Sequence, residues 1–188
     1  ISKKDKLLSF LNKNKIKAKK SLGQNFLIDD NVLDQIIQTA SIGKEDFVLE
    51  IGPGPGALTE QLLESAKHVF IIEKDDELFA SLSKRHAKNP KLTLFHADAL
   101  TFPFEEELSA ITQKENKKIK VVANLPYNIA TPILMNLLRS PHLFEGIFVM
   151  LQKEVAKRIC SPCKSRNYGF FSLLMQMQAD TKMAFDIF

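Results

Sequence analysis

The segment F47-V-L-E-I-G-P-G-P-G-A-L-T59 decides the fold of this chain. The apolar run 47–51 is typical of a buried β-strand, and residues 52–56 then form a turn of three glycines and two prolines. Leu58, Leu62 and Leu63 follow at the spacing of one helix face. A strand, a glycine-rich turn and a helix in this order predict the first half of a β-α-β unit.

The same alternation continues along the chain. Strands are predicted at 69–73, 92–95, 120–123 and 146–151, with helical patterns between most of them. A further helix is predicted before the first strand, capped by Asp29 or Asp30, with an apolar face formed by Val32, Leu33, Ile36, Ile37 and Ala40. This order predicts an α/β fold in which a mostly parallel sheet is covered by helices on both faces. Ligands of such sheets bind beyond the carboxyl ends of the strands.

Composition separates a basic arm from the rest of the chain. Residues 1–20 hold eight lysines and one aspartate, a charge of +7, whereas the whole chain carries +4. Such an arm suits a polyanionic partner, although a solvated tail explains it equally well. With 188 residues, 45% of them hydrophobic, residues 21–188 are predicted to form one domain. No long apolar segment or signal peptide is found, so we expect a soluble, cytoplasmic protein without membrane contact.

Cys160 and Cys163 form a C-x-x-C pair, a spacing that serves redox or zinc chemistry in other proteins. The four histidines are scattered singly, so a second pair of ligands is missing. We therefore predict reduced thiols and no metal site.

The glycine turn predicts close approach of the backbone to a ligand, because glycine has no Cβ. Gly52, Gly54 and Ala57 fit the dinucleotide fingerprint G-x-G-x-x-A, so NAD and other nucleoside cofactors both remain open, as does a purely structural turn. Pro53 and Pro55 have no N–H to offer, which makes this turn a poor cradle for a pyrophosphate.

Acidic side chains end the next two strands. Glu73 ends the second strand, where a carboxylate can accept hydrogen bonds from both hydroxyls of a ribose; an exposed surface charge is the alternative. Asp98 ends the third strand, where its carboxylate can accept from an adenine amino group while the backbone near Ala99 contacts the ring edge. A turn or helix-cap role for Asp98 fits equally well.

The fourth strand ends in Asn124, Leu125, Pro126 and Tyr127, which are poor packing material for a strand end. The amino nitrogen of adenine is a weak nucleophile because its lone pair is delocalised into the ring. The Asn124 oxygen and a carbonyl near Leu125 can accept its two N–H bonds, Pro126 stiffens the turn, and Tyr127 offers a stacking face for a flipped base. These four residues are the predicted catalytic site.

Seven segments, in order, carry a resemblance to a known family: "KKSLGQNFLIDDNV", "VLEIGPGPGALT", "IIEKD", "HADAL", "VVANLPYNIATPIL", "VMLQKEVAKRI" and "NYGFFSLL". From about Lys19 to its last residue, the chain resembles the bacterial small-subunit ribosomal RNA adenine dimethyltransferases, which are related to the erythromycin-resistance methyltransferases. The resemblance implies a Rossmann-like methyltransferase fold and S-adenosylmethionine as cofactor. Family members continue with a last strand and a small helical domain, so we expect the sheet here to stop before its last strand.

The resemblance also implies roles for individual residues. Asn25 and Leu27 would lie over the methionine end of the cofactor, and Gly52 and Gly54 would form the cofactor turn. Glu73 would hold the ribose. The cofactor adenine would contact Asp98 and Ala99, and Asn124 would lie near both cofactor and target base. Candidate phosphate contacts are Lys17, Lys19, Lys20, Lys153, Lys157 and Arg158.

The implied reaction is dimethylation of two neighbouring adenosines in a hairpin near the 3′ end of small-subunit RNA, within a pre-ribosomal particle and by a monomer. Leu125 favours the small-subunit enzymes over the resistance enzymes, where isoleucine is common at that place. Three alternatives remain: a large-subunit methyltransferase, an NAD-dependent oxidoreductase, and a non-catalytic assembly factor.

Overall fold

Five strands form one sheet in the computed structural model, which describes residues 26–27, 29–126 and 129–187. The strands are β1 (Phe47–Ile51), β2 (His68–Glu73), β3 (Leu92–His96), β4 (Ile119–Asn124) and β5 (Phe144–Met150). Their order across the sheet is β3-β2-β1-β4-β5. β1 pairs in parallel with β2 and β4, and β2 pairs in parallel with β3. The predicted α/β fold with a mostly parallel sheet is confirmed.

The centre of the sheet is buried on both faces. Every residue of β1 is buried, and side chains point alternately to the two faces of a strand. Val48 and Leu49, which are neighbours in sequence, both have 0% exposure, so helices or loops must cover each face. This explains why the strand is continuously apolar rather than alternating.

The α-helices described before β5 are α1 (Asp30–Thr39), α2 (Ala57–Ser65), α3 (Asp76–Arg85), α4 (Phe104–Glu115) and α5 (Ala130–Leu137). The predicted cap of α1 is confirmed, because the Asp29 carboxylate accepts from the N–H groups of Asn31 (2.9 Å) and Val32 (3.3 Å). α3 begins in the same way, with Asp75 accepting from the N–H groups of Glu77 and Leu78.

β5 differs from its prediction by two residues at its start. The strand begins at Phe144, directly after a short 3₁₀ helix at Pro141–Leu143, and ends at Met150. Phe144 is buried and meets the ring of Phe104 edge-on at 5.9 Å. Tertiary packing of an aromatic ring, rather than local periodicity, therefore sets this boundary.

The chain divides into two compact units, Ile1–Val149 and Met150–Phe188. The second unit contains α6 (Lys153–Ile159) and α7 (Phe170–Gln176). The Gln176 amide joins the two helices by donating to the carbonyls of Ile159 (2.7 Å) and Ser161 (2.8 Å). Described residues after β5 add no strand to the sheet. Residues 21–188 as one domain stay a prediction.

Within residues 26–27, 29–126 and 129–187, no helix has both the length and the apolar character that crossing a membrane requires. Cys160 and Cys163 are free thiols, and no cluster of three or more potential metal ligands occurs among those same residues.

Candidate functional site

The register of the sheet brings the predicted strand-end residues to one level. Ile51 pairs with Ile72 on one side and with Ala123 on the other, so the residues that follow them share one edge. Those residues are Gly52, Glu73 and Asn124. Glu73 in turn pairs with His96, two residues before Asp98. The structure therefore gathers residues that are more than 70 positions apart in sequence.

The glycine turn has the open backbone that its sequence predicts. Gly52 and Gly54 adopt φ angles of 65° and 58°, which side chains with a Cβ rarely tolerate. A Cβ built on Gly52 would meet no atom within 4 Å, so open space adjoins this residue. A Cβ on Gly54 would lie 3.1 Å from the ring of Phe26.

Phe26 belongs to the predicted cofactor segment Asn25 to Leu27. The Phe26 ring lies against Gly54 of the glycine turn, and the neighbouring Leu27 is half-buried. Asn25 lies outside the described residues. A role for the segment next to a ligand of the turn stays a prediction.

Glu73 is buried at the end of β2, with 5% of its surface exposed. Burial raises the pKa of its carboxyl, while backbone N–H groups of Asp75, Lys74 and Gly54 oppose the rise. The Asp75 N–H donates to Glu73 Oε1 at 2.7 Å. Because the Gly54 N–H is among the groups that lower this pKa, the acid of β2 lies close to the turn after β1.

Asp98 follows β3 and is held by two neighbours. Lys74 Nζ donates to Asp98 Oδ2 at 2.7 Å, and the Leu100 N–H donates to Oδ1 at 2.9 Å. Partial burial acts to raise the pKa of Asp98, but these two hydrogen bonds prevail and lower it. Asp98 is thus a charged acceptor with the turn role that the sequence offered as its alternative, while its ligand role stays a prediction.

Ala99 is buried next to Asp98, and its carbonyl accepts from the Asn136 amide at 3.0 Å. The same amide donates to the carbonyl of Phe102 at 3.1 Å. Asn136 of α5 therefore fixes the turn after β3, a role that the sequence did not reveal.

The segment after β4 is described in part. Asn124 is the last residue of the strand and is half-buried. Leu125 is 1% exposed and packs in the core. The Pro126 carbonyl accepts from the Ile129 N–H at 3.2 Å, just before α5 begins. Tyr127 lies outside the described residues.

A third acid lies within β1, two residues before Gly52, and was not predicted as a site residue. Glu50, within β1, is 2% exposed and accepts from the Thr59 hydroxyl at 2.6 Å. Burial raises its pKa to about 8, with the hydrogen bond from Thr59 opposing and the charge of Glu73 adding to the rise. The signal in the sequence that could have identified Glu50 is an acidic residue inside an otherwise apolar strand.

The predicted RNA contacts differ in their surroundings. Lys153 forms an ion pair with Asp186, whereas Lys157 and Arg158 lie exposed on α6. Lys17, Lys19 and Lys20 lie outside the described residues. Of the three described candidates, Lys157 and Arg158 have the surroundings that suit a phosphate contact best.

The side chains at the strand ends fit a nucleoside cofactor. Hydrogen-bond acceptors lie at Asp98 and Glu73, and open space adjoins Gly52 at the end of the next strand along the sheet edge. Asp98 is held as a charged carboxylate and Glu73 adds a second acid at the same edge, and these acids suit a ligand with a cationic tail better than a pyrophosphate, which like charges would repel. This favours S-adenosylmethionine over NAD.

Fold and site together define a Rossmann-like methyltransferase. Among solved structures, a dimethyladenosine transferase from Plasmodium falciparum has a TM-score of 0.68 and 31% identity, over 81% of this chain and 52% of that one. The 23S rRNA methyltransferase ErmE has a TM-score of 0.62 and 29% identity, over 81% of this chain and 56% of that one.

The family described as ribosomal RNA adenine dimethylase matches residues 15–186, and the chain belongs to this family. A ribosomal RNA small subunit methyltransferase A from Clostridium botulinum is 46% identical over 174 residues. That alignment covers 92% of this chain and 61% of the relative, so the chain spans about three fifths of the relative's length. The family resemblance seen in the sequence is confirmed.

Proposed function

We propose that this chain carries the cofactor site and the target-base site of an S-adenosylmethionine-dependent enzyme that dimethylates adenosines of small-subunit ribosomal RNA. The observation that carries the proposal is the common level of Gly52, Glu73 and Asn124 at one sheet edge, with Asp98 beside them. An acid for a ribose, an acid for an adenine and an amide for a second adenine then line one continuous site.

S-adenosylmethionine, when bound, supplies an electrophilic methyl group on a sulfonium. Glu73 holds the ribose hydroxyls, and Asp98 accepts from the adenine amino group, with the backbone at Ala99 along the ring edge. Asn25 and Leu27 cover the methionine end. The family match and the surrounding acids argue against the oxidoreductase alternative.

The residues after β4 orient the target amine. The Asn124 side-chain oxygen and the Leu125 carbonyl accept its two N–H bonds, which favours the pyramidal nitrogen whose lone pair points at the methyl group. Pro126 stiffens the turn, and Tyr127 stacks on the extruded base. Catalysis on this scheme is positioning and electrostatic stabilisation, with no covalent enzyme intermediate.

The RNA substrate is the finer part of the proposal. Curated relatives are named for the small subunit, and Leu125 agrees with that subgroup, so we place the two target adenosines in the hairpin near the 3′ end. A base is extruded more easily from a single-stranded loop than from a duplex. Action on a maturing particle, by a monomer in the cytoplasm, remains a prediction.

The experiment is transfer of labelled methyl groups from S-adenosylmethionine to unmethylated small subunits, followed by nucleoside analysis of the RNA. We expect dimethyladenosine with the wild-type chain and none with Asn124→Ala. Asn31→Ala is the matched control, because Asn31 is an exposed asparagine on α1.

Equal transfer by wild type and Asn124→Ala would refute the assigned base site. Methylation of purified large-subunit RNA instead of small subunits would support the resistance-type alternative. If Asn124→Ala binds particles and supports their maturation while losing only methylation, the assembly role is a second function.

A further inference from the structure

We propose that Arg85 is a positioning residue that holds the glycine turn in its cofactor-binding shape. The inference rests on the proposed function, because it assumes that residues 52–56 contact S-adenosylmethionine. Arg85 is the last residue of α3, a helix that no motif of the sequence connects with the turn.

The turn needs an external support. Gly52, Gly54 and Gly56 all have positive φ angles, and glycine loses more conformational freedom on ordering than any other residue. Pro53 and Pro55 offer no N–H. Among the described backbone hydrogen bonds, the Gly52 N–H donates to the Ile72 carbonyl and the Gly56 N–H donates to the Pro53 carbonyl. Neither of these bonds uses the carbonyl of Pro55.

Arg85 provides that support. Its Nη1 donates to the Pro55 carbonyl at 3.0 Å across 30 residues of sequence, and Pro55 itself is buried. A buried carbonyl that loses its donor is costly, and a hydrogen bond from a charged group is among the stronger ones. The guanidinium therefore holds the turn where it enters α2.

The guanidinium is itself oriented by Glu60 in the first turn of α2. Glu60 Oε1 lies 3.4 Å from Arg85 Nη1 and 3.3 Å from Nε2 of His86. The His86 ring is 8% exposed, and burial lowers its pKa, so the ring is neutral at neutral pH. The charge of the Glu60 carboxylate is therefore paired with Arg85.

Packing leaves little room for the turn to move. A Cβ built on Gly56 would lie 2.9 Å from Leu82 Cδ2 and 3.2 Å from Arg85 Nη1. The other end of α3 follows Glu73, whose carboxylate accepts from the Asp75 N–H. One helix thus contacts both the ribose acid and the glycine turn, so its C-terminal arginine fixes their relative position.

The test compares Arg85→Met with wild type and with Lys84→Met in the whole chain. Methionine keeps much of the aliphatic contact but cannot donate, and Lys84 is an exposed neighbour of the same charge. We expect Arg85→Met to raise the Kd for S-adenosylhomocysteine about tenfold, equivalent to about 1.4 kcal/mol. At saturating S-adenosylmethionine, kcat should change less than twofold, and Lys84→Met should match wild type.

Amide hydrogen exchange of Gly54 and Gly56 supplies the readout that is independent of activity. We expect faster exchange in Arg85→Met and partial restoration in Arg85→Lys. A double-mutant cycle with Glu60→Gln should show coupling, because both residues act on one turn.

The outcomes separate the two proposals. If wild type binds S-adenosylhomocysteine and Arg85→Met binds it equally well, the role of Arg85 is refuted while the proposed function stands. Should wild type fail to bind, the proposed cofactor is wrong, and unchanged exchange would then reject the support of the turn as well. Lower stability with an unchanged Kd would make Arg85 merely structural and overturn the inference.

Discussion

Replacing Glu50 by glutamine removes the one ionisable group inside β1 and keeps its shape. The glutamine oxygen can still accept from the Thr59 hydroxyl, which lies 2.6 Å from the carboxylate. The folded protein keeps the Glu50 carboxyl protonated up to about pH 8, whereas the ordinary value is 4.5. Between these values the folded state binds more protons than the unfolded state, so the free energy of unfolding falls as pH rises.

The size of the effect follows from the two pKa values. Each unit of difference corresponds to about 1.36 kcal/mol, so the full loss across the window is about 5 kcal/mol. From pH 5 to pH 8 the wild type should lose roughly 3 to 4 kcal/mol through Glu50 alone. Glu73 also has a raised pKa and adds a loss of the same sign in both proteins.

The assay is urea unfolding of wild type and Glu50→Gln at pH 5, 6, 7 and 8. The difference between the two unfolding free energies isolates Glu50, because the other groups titrate in both proteins. Glu106→Gln is the matched control, since Glu106 is exposed on α4 and should follow wild type. We expect Glu50→Gln to gain stability relative to wild type as pH rises.

Parallel curves for wild type and Glu50→Gln would refute the reasoning. They would mean that water or a nearby cation keeps Glu50 ionised in the folded protein. A variant that is less stable than wild type even at pH 8 would show that the ionised carboxylate makes contacts that the amide cannot replace.

Three further predictions concern other parts of the site. Glu73→Gln should weaken S-adenosylhomocysteine binding about tenfold in calorimetry, because an amide replaces a charged acceptor for the ribose; unchanged affinity would exclude the ribose role. Asn136→Ala should lower the unfolding free energy by about 1–3 kcal/mol, since two carbonyls after β3 lose their donor; a loss below the error of urea unfolding would contradict this. Reversing the charges of Lys157 and Arg158 should weaken RNA binding and reduce its salt slope by about two, whereas equal binding at every salt concentration would show that this pair makes no phosphate contact.

Much of the fold was predictable from the sequence because its signals are local. The apolar run 47–51 and the glycine turn gave the first strand and its turn, and Asp29 gave the start of α1. Strand boundaries were harder to predict. β5 begins at Phe144 because that ring packs against Phe104, about 40 residues earlier in the chain. No periodicity within β5 reports such a contact.

The candidate site divides in the same way. The sequence by itself determined the residue types at the strand ends, because Gly52, Glu73, Asp98 and Asn124 each follow a recognisable strand and match a family motif in order. The tertiary structure alone decided which distant groups hold them. Arg85 reaches the Pro55 carbonyl through the packing of α3, and Asn136 reaches the turn after β3 from α5. Side-chain to backbone bonds across 30 residues or more leave no local pattern, so only the folded chain reveals them.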